Sequence, residues 1–356
     1  MRKMATIRRI DDIRPIPDAD AIECAVVGGW TVVVKKGDFR VGELAVYCEI
    51  DSWVPTNIAP FLSKGQEPRK FEGIRGERLR TVRLRGQLSQ GLLLKTEPFS
   101  YDTNKCMLPQ AGGENEKGDS GYPLVELGDD VSDLLGIIKY EPPIPAQLAG
   151  EVKGPFPGVV PKTDQERIQN LSNELAVWQS EADFWEVTEK LDGSSMTVYR
   201  FNSEFGVCSR NLDLKRNNDN SLWKAAGTQA LEEILADYAQ HNIALQGELV
   251  GEGIQGNPYK KKGQHFFLFD VYLIDEGRYM TPAERHKFIR ETGVSHVPII
   301  DRGGIIQQGM DSIIAGAEGK SLLNEQTERE GLVFKRCDGT ASFKAISNRF
   351  LIKTGG

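Results

Sequence analysis

One lysine stands where an amine could do chemistry. Lys190 closes a short β-prone run (Phe184, Trp185, Val187) and is followed at once by Leu191-Asp192-Gly193-Ser194-Ser195. Asp-Gly-Ser-Ser breaks the strand pattern, so the lysine lies at the mouth of a tight turn, with Glu189 and Asp192 close in sequence. An amine fixed at a strand end beside a glycine turn is a candidate nucleophile. A surface hairpin ending in Asp-Gly would show the same residues with no chemistry, and Lys-x-Asp-Gly alone leaves both readings open. A second group is cationic. Between Arg69 and Arg85 seven basic residues (Arg69, Lys70, Arg75, Arg78, Arg80, Arg83, Arg85) meet two acidic ones, Glu72 and Glu77. The run Arg78 to Arg85 reads as an alternating strand with one cationic face. That face is either merely solvated or a surface that follows phosphates, with Arg80, Arg83 and Arg85 as its nucleic-acid candidates.

The rest of the chain supplies the frame. It has 356 residues, 39% hydrophobic and 27% charged, enough for two or three domains with cores of their own. A net charge of -7 argues against a protein coated with nucleic acid over its whole surface but leaves room for a local basic face. The five cysteines are scattered, with no Cys-x-x-Cys, which argues against a zinc ribbon or a disulfide framework and fits a reducing cytoplasm. The N-terminus lacks an apolar signal core and no apolar run reaches membrane-spanning length, so no membrane partner is expected.

Residues 1 to 100 read as all-β: Val26-Val27, Trp30 to Val34, Leu44 to Tyr47, Leu79 to Leu84 and Leu92 to Leu94, divided by glycine turns. Such spacing predicts a small barrel, OB-like in the first instance and SH3-like as the alternative. Residues 101 to 160 are rich in Gly and Pro and read as a connection. A helix is expected from Asp164, with Thr163 as N-cap and Glu166 closing a capping box. Residues 161 to 356 mix the two element types, with a helix near Leu222 to Gln240 and strands near Leu245 to Gly251, His265 to Leu273 and Gly331 to Arg336.

After Lys190 come Cys208-Ser209-Arg210-Asn211, Gln246-Gly247-Glu248-Leu249-Val250-Gly251, Phe266-Phe267-Leu268-Phe269-Asp270, Glu330-Gly331-Leu332-Val333-Phe334-Lys335 and Phe343-Lys344-Ala345-Ile346-Ser347-Asn348-Arg349-Phe350. Each alone is an unremarkable strand or turn. In this order they resemble the motif series of the covalent nucleotidyltransferases, namely ATP-dependent DNA ligases, RNA ligases and mRNA capping enzymes. The resemblance covers the C-terminal half. It implies a multidomain α+β protein: an N-terminal OB-like β-barrel followed by an α+β ligase-type nucleotidyltransferase domain.

The resemblance also implies roles. Lys190 would attack the α-phosphate of ATP as the neutral amine, against an ordinary lysine pKa of about 10.4. Asp192, Glu248 and Glu330 would position a hydrated Mg²⁺ (or Mn²⁺), whose charge, with that of Lys344, favours the neutral amine. Arg210, Lys335 and Lys344 would neutralise charge on the α-phosphate, and Arg167 would contact phosphates. Glu189 would meet adenine through its backbone carbonyl, and Phe266 would stack on the base, with Phe267 next because strand alternation admits only one of them. In the fifth motif Ile346 stands where a second lysine is expected, so that either Lys344 acts alone or Arg349 substitutes.

Domain order points to one branch. Ligases of DNA and capping enzymes resemble a catalytic domain followed by an OB fold, whereas here the barrel-like region comes first and only six residues follow Phe350. That order, with Val46 to Pro55 and Pro161 to Asn170, is similar to RNA ligases that seal 3′-OH/5′-phosphate nicks. The expectation is an ATP-dependent RNA ligase acting on RNA ends, a nicked duplex above all, downstream of end-healing enzymes. A capping-type guanylyltransferase, a DNA ligase and a non-catalytic nucleic-acid-binding protein are the alternatives.

Overall fold

Trp30, Val32 and Val34 alternate with Thr31, Val33 and Lys35, and only the first set is buried, which fixes one strand with a core face and a wet face. The same logic repeats through the N-terminal part of the computed structural model, which describes residues 2–99, 102–111, 113–114, 120–141, 150–238 and 241–354. The chain divides into two units, Met1–Pro142 with Leu351–Gly356, and Pro143–Phe350.

In the first unit β1 (Ala5–Arg9), β5 (Leu44–Cys48) and β11 (Leu92–Lys95) form an antiparallel sheet. A meander of β2 (Asp12–Pro15), β3 (Ile22–Val27) and β4 (Trp30–Lys35) lies in a second. A third contains β6 (Ser52–Pro55), β7 (Arg69–Phe71) and β8 (Ile74–Arg78), and β9 (Thr81–Leu84) pairs with β10 (Gln87–Gln90) as a hairpin. Ile7, Val46, Cys48, Val54, Leu79 and Leu94 make the core.

Two expectations fail in this unit. The stretch read as a connection is partly folded into it. There β12 (Lys105–Met107) pairs with β13 (Leu124–Glu126), and Cys106, Leu108, Val125, Leu135 and Ile137 are buried with the barrel residues. Short apolar runs between the glycines decide this; Gly112, Gly118 and Pro142-Pro143 lie outside the described residues. Nor do the cations share one strand face. Arg78 ends β8 and Arg83 belongs to β9, because buried Leu79 turns the chain between two sheets.

The second unit is built on two sheets. The larger is antiparallel, in the order β14 (Val152–Pro155), β19 (Leu212–Leu214), β18 (Glu204–Cys208), β17 (Ser194–Phe201), β20 (Ile243–Gly251), β21 (Gln264–Leu273), β22 (Arg278–Tyr279). The smaller runs β15 (Glu166–Arg167), β25 (Ser342–Ile346), β24 (Gly331–Arg336), β16 (Phe184–Lys190), β23 (Ile299–Ile305), with β15 parallel to β25. Helices α2 (Ser221–Thr228), α3 (Leu231–Asp237) and α4 (Pro282–Thr292) bring Leu222, Trp223, Leu235 and Phe288 to the core of the larger sheet. Helices α1 (Ser172–Glu181) and α5 (Met310–Gly316) bring Leu175 and Ile313 to Trp185, Val187, Phe334 and Phe343 of the smaller.

No helix starts at Asp164. Residues 161–165 are irregular and α1 begins only at Ser172. Glu166, expected to bond back to Thr163, accepts instead from the Arg167 amide at 2.9 Å and from Asn170 Nδ2 at 2.9 Å, while Arg167 pairs with the sheet. The helix expected over Leu222 to Gln240 is two, parted at Ala230, whose φ is +51°. Gln240 itself lies outside the described residues.

Candidate active site

The turn after Lys190 carries the chain from one sheet to the other. Lys190 ends β16 in the smaller sheet, and Ser194 begins β17 in the larger. Gly193 crosses so close to β20 that a Cβ there would lie 2.4 Å from the Leu249 carbonyl and 2.9 Å from Glu248 Cγ. That is the physical reason for a glycine at this point. The two amides after Leu191 are both tied down. Asp192 N donates to the Tyr259 phenol at 2.6 Å, and Gly193 N donates to Glu248 Oε1 at 3.1 Å.

Lys190 Nζ lies 2.7 Å from Glu330 Oε1. Burial opposes the ammonium more than any other single influence, but Glu330, Glu248 and Asp192 together outweigh it and hold the amine above the usual lysine pKa. The carboxylates suffer in turn. Burial, then repulsion from Glu330, lifts Asp192 to about 6; burial, resisted by Lys190 but reinforced by Glu330 and Asp192, lifts Glu248 to about 8. Without a ligand the site is thus an overcrowded anionic cluster holding one cation. It contains the carboxylates a divalent ion needs. Among the described residues no three His, Cys, Asp or Glu side chains converge as a direct chelating group; the donors present are carboxylate oxygens, the type that hard divalent ions take.

The row of side chains beside Lys190 follows from register. Thr188 pairs with Val333, Val333 with Lys344, and Lys344 with Arg167, so these four share one face. Arg167 and Lys344 are therefore neighbours, as two groups serving one phosphate must be. Lys344 Nζ is 3.3 Å from Asp164. Ile346 pairs with Gly331, which pairs with Lys190, and is buried; no cation comes from that position. Arg349 Nε lies 2.8 Å from Glu318.

Lys335 is not brought to the lysine. Lys335 opposes Glu186, roughly 13 Å along the strand from Lys190. It is buried against Asp270 at 2.7 Å and the Phe269 carbonyl, and burial, helped by Arg285, pulls its amine down to about 8 although Asp270 resists. Lys335, Asp164 and Arg285 border a cavity of about 380 Å³. Arg210 is exposed in the turn between β18 and β19, with no ion pair among the described residues. Glu189 turns its carboxylate away from Lys190 to the Leu322 amide at 2.8 Å, and burial raises its pKa.

Phe266 is not a stacking platform. It is fully buried in the helix-covered core, against the face of Gly247 that has no side chain, where a Cβ would lie 2.4 Å from its ring. Phe267 pairs with Glu248 and so shares its face, and with Phe269 it packs beside Leu191, Val250 and Tyr259. Strand alternation puts the two rings on opposite faces, and Phe267 is the one that shares the face of Glu248.

Several residues of the site were not expected from the sequence. Tyr259, beyond the Gln246 to Gly251 segment, had no role in that reading. Glu186, Arg285, His286 and Asp270 form a buried charge network with Lys335. Its signal was present: Arg285 lies in phase with Pro282 and Phe288 on the buried face of α4.

In the first unit Arg69, Arg75 and Arg78 are committed to Glu77, Glu67 and Asp51. Arg80 and Arg85 are exposed and have no carboxylate partner among the described residues, and Arg83 donates to the Gly86 carbonyl at 2.7 Å beside exposed Val82 and Leu84.

Comparisons with known proteins fit both units. A family model described as RNA ligase matches residues 183–353, and one described as an OB-fold domain matches residues 4–96. Solved structures of Naegleria gruberi RNA ligase resemble the whole chain. A mutant without ligand has a TM-score of 0.85 at 46% identity over 99% of this chain and 98% of that one. The structure with PPi has a TM-score of 0.83 at 47% identity over 99% and 98%. A mutant with ATP and Mn has a TM-score of 0.84 at 46% identity over 98% of each. No curated protein matches.

Proposed function

The chain belongs to the RNA ligase family, and we propose that Lys190 is the amine through which it works. It is an ATP-dependent RNA ligase with an N-terminal OB-fold domain. The observation that carries the residue assignment is the placement of Lys190 at the junction of two sheets, gripped by Glu330 at 2.7 Å with Glu248 and Asp192 around it.

The chemistry runs in three displacements. The neutral Lys190 amine attacks the α-phosphorus of ATP; the N–P bond forms, the α–β anhydride bond breaks, pyrophosphate leaves and the nitrogen sheds a proton. The RNA 5′-phosphate then takes AMP from Lys190. Finally the 3′-OH attacks that phosphate, a phosphodiester forms and AMP leaves. In the first step Lys344 and Arg167, side by side, stabilise charge on the phosphate oxygens. Phe267 offers an aromatic face to the base. Glu330 keeps the resting amine protonated, so attack requires that grip to be relaxed. A divalent cation held through its waters by Asp192, Glu248 and Glu330 would supply the opposing positive charge when bound.

Arg80, Arg83 and Arg85 give the first unit its RNA-binding face, the exposed cations not already spent on nearby carboxylates. The substrate is RNA with 3′-OH and 5′-phosphate ends, best presented across a nick, and end-healing enzymes would act upstream. Five free cysteines suit a reducing compartment, so we place the protein in the cytoplasm. Among the described residues no helix is long and apolar enough to cross a membrane.

The test is incubation with labelled ATP or GTP. ATP should label the wild-type protein and leave Lys190→Ala unlabelled; persistent labelling of that variant overturns the assignment, and labelling by GTP alone turns the reading to capping.

A further inference from the structure

We propose that Tyr259 is a positioning residue for the first step, holding the Lys190–Asp192 turn in its attacking geometry. The proposal rests on the ligase reading above. Tyr259 is almost wholly buried, and its phenol oxygen accepts the Asp192 amide hydrogen at 2.6 Å. The next amide, Gly193 N, goes to Glu248. Two consecutive N–H groups just after the nucleophile are thus fixed by two different side chains, a phenol and a carboxyl group. Burial, outweighing its bond to the Asp192 amide, pushes the phenol far above its usual pKa, so it remains a neutral group and adds no charge to the anionic cluster.

The phenol is itself held from several directions. It projects from the loop between β20 and β21, in which Gly253, Gln255, Gly256, Asn257, Lys260 and Gly263 all have positive φ. Only Gln255 and Lys260 among them are residues for which this conformation is unfavourable. Asn257 closes it, accepting from the Lys261 amide at 3.0 Å and donating to the Lys261 carbonyl at 2.9 Å. Pro258, next to the tyrosine, has its carbonyl held by Asn324 Nδ2 at 2.8 Å and Thr327 Oγ1 at 2.7 Å. The loop also reaches the turn itself, since Gln255 Nε2 donates to the Gly193 carbonyl at 3.3 Å. Leu191 packs on the same tyrosine within a small apolar cluster.

The consequence is directional. Asp192 is one of three carboxylates competing for Lys190, and its backbone sets where its side chain goes. Without the phenol, the Asp192 amide has no buried acceptor, the turn loosens, and the lysine and carboxylate no longer keep one register. Substrate binding is less dependent on this bond than the attack is.

The experiment compares Tyr259→Phe with wild type in single-turnover adenylylation, with sealing of chemically pre-adenylylated RNA as the second readout. A missing acceptor for a buried amide predicts an adenylylation rate lower by about tenfold to a hundredfold, with the ATP KM changed by less than about threefold and the melting temperature lowered by several degrees at most. Sealing of pre-adenylylated RNA, which does not need attack by Lys190, should fall much less. A Tyr259→Phe rate within about twofold of wild type overturns the proposal, as does an equal loss in both steps. Should that variant fold poorly, Asn324→Ala with Thr327→Val loosens the Pro258 brace while keeping the phenol, and it must show the same step-selective loss. Wild-type protein that takes no label from ATP would instead sink the ligase reading beneath the proposal.

Discussion

The Glu330 carboxylate holds the Lys190 ammonium at 2.7 Å, so the residue just before β24 is the resting counter-ion of the proposed nucleophile. This pair stabilises the form of the lysine that cannot attack. The two carboxylates nearby, Asp192 and Glu248, push in the same direction. Activation is then a matter of redirecting carboxylates, not of building a hydrophobic pocket for the amine.

Replacing Glu330 with Gln should therefore lower the amine pKa while weakening catalysis overall. The acidic limb of the adenylylation rate against pH reports deprotonation of Lys190, and that limb should move to lower pH in the variant. Rates in a series of buffers, normalised to each variant's own maximum, give the answer. A limb that stays put or moves to higher pH contradicts the counter-ion role.

Arg167 and Lys344 are paired across parallel strands on one face. If both stabilise the same phosphate charge, Lys344→Ala and Arg167→Ala should each slow adenylylation by about 10²- to 10³-fold. The double variant should lose less than the product of the two, because neighbouring groups serving one oxyanion couple. Strict multiplicativity in a double-mutant cycle would separate their roles.

Much of this arrangement was legible in the sequence because motif chemistry is local. Lys190, Glu248, Glu330 and Lys344 each lie in a short run whose strand character and turn glycines can be read directly, and the structure gathers Glu248 and Glu330 around the amine of Lys190. Register across the sheet was not legible. That Arg167 would be a strand residue beside Lys344, not the start of a helix, depends on pairing with a partner far along the chain. The choice between Phe266 and Phe267 turned on a phase set by Gly247, whose missing side chain admits the Phe266 ring to the core. The barrel's cationic run failed for a similar reason: buried Leu79 interrupts it, and residue types alone do not show which arginines meet carboxylates.

The two phenylalanines should separate cleanly by experiment. Phe266→Ala opens the helix-side core and should cost about 3 to 5 kcal/mol of stability by denaturant unfolding. Phe267→Leu should leave stability nearly intact and raise the KM for ATP severalfold through weaker stacking on the base. A Phe267→Leu variant with unchanged ATP dependence would place the base elsewhere.

In the first unit the cations without carboxylate partners should matter more than the paired ones. Changing Arg83 and Arg85 to Ala should weaken RNA binding and reduce the slope of log K against log salt by about 0.7 to 0.9 for each phosphate that is no longer neutralised. Adenylylation without RNA should change little. Arg78→Ala, which breaks the ion pair with Asp51 at 2.6 Å, should leave the salt slope closer to wild type. Filter binding over a salt series distinguishes the two sets; equal slopes for all variants would remove the hairpin from the RNA interface.

His296 gives the fold an acid-labile point. Its Nδ1 donates to the Val297 carbonyl at 2.6 Å, which leaves Nε2 to accept from Arg285 Nε at 3.2 Å. Burial first, then the charge of Arg285, depresses its pKa from 6.5 to about 3. A histidine with a lowered folded pKa contributes stability that is complete above its unfolded value near 6.5 and drains away as the pH falls toward 3, because only the unfolded chain gains the proton easily. Stability measured by urea unfolding should therefore decline between pH 6.5 and 4 in the wild type. His296→Gln keeps a side-chain acceptor for Arg285 but cannot take up a proton, so its decline over that window should be shallower, whatever its stability at neutral pH. Parallel pH curves for the two proteins would show that other groups, not His296, carry the acid sensitivity.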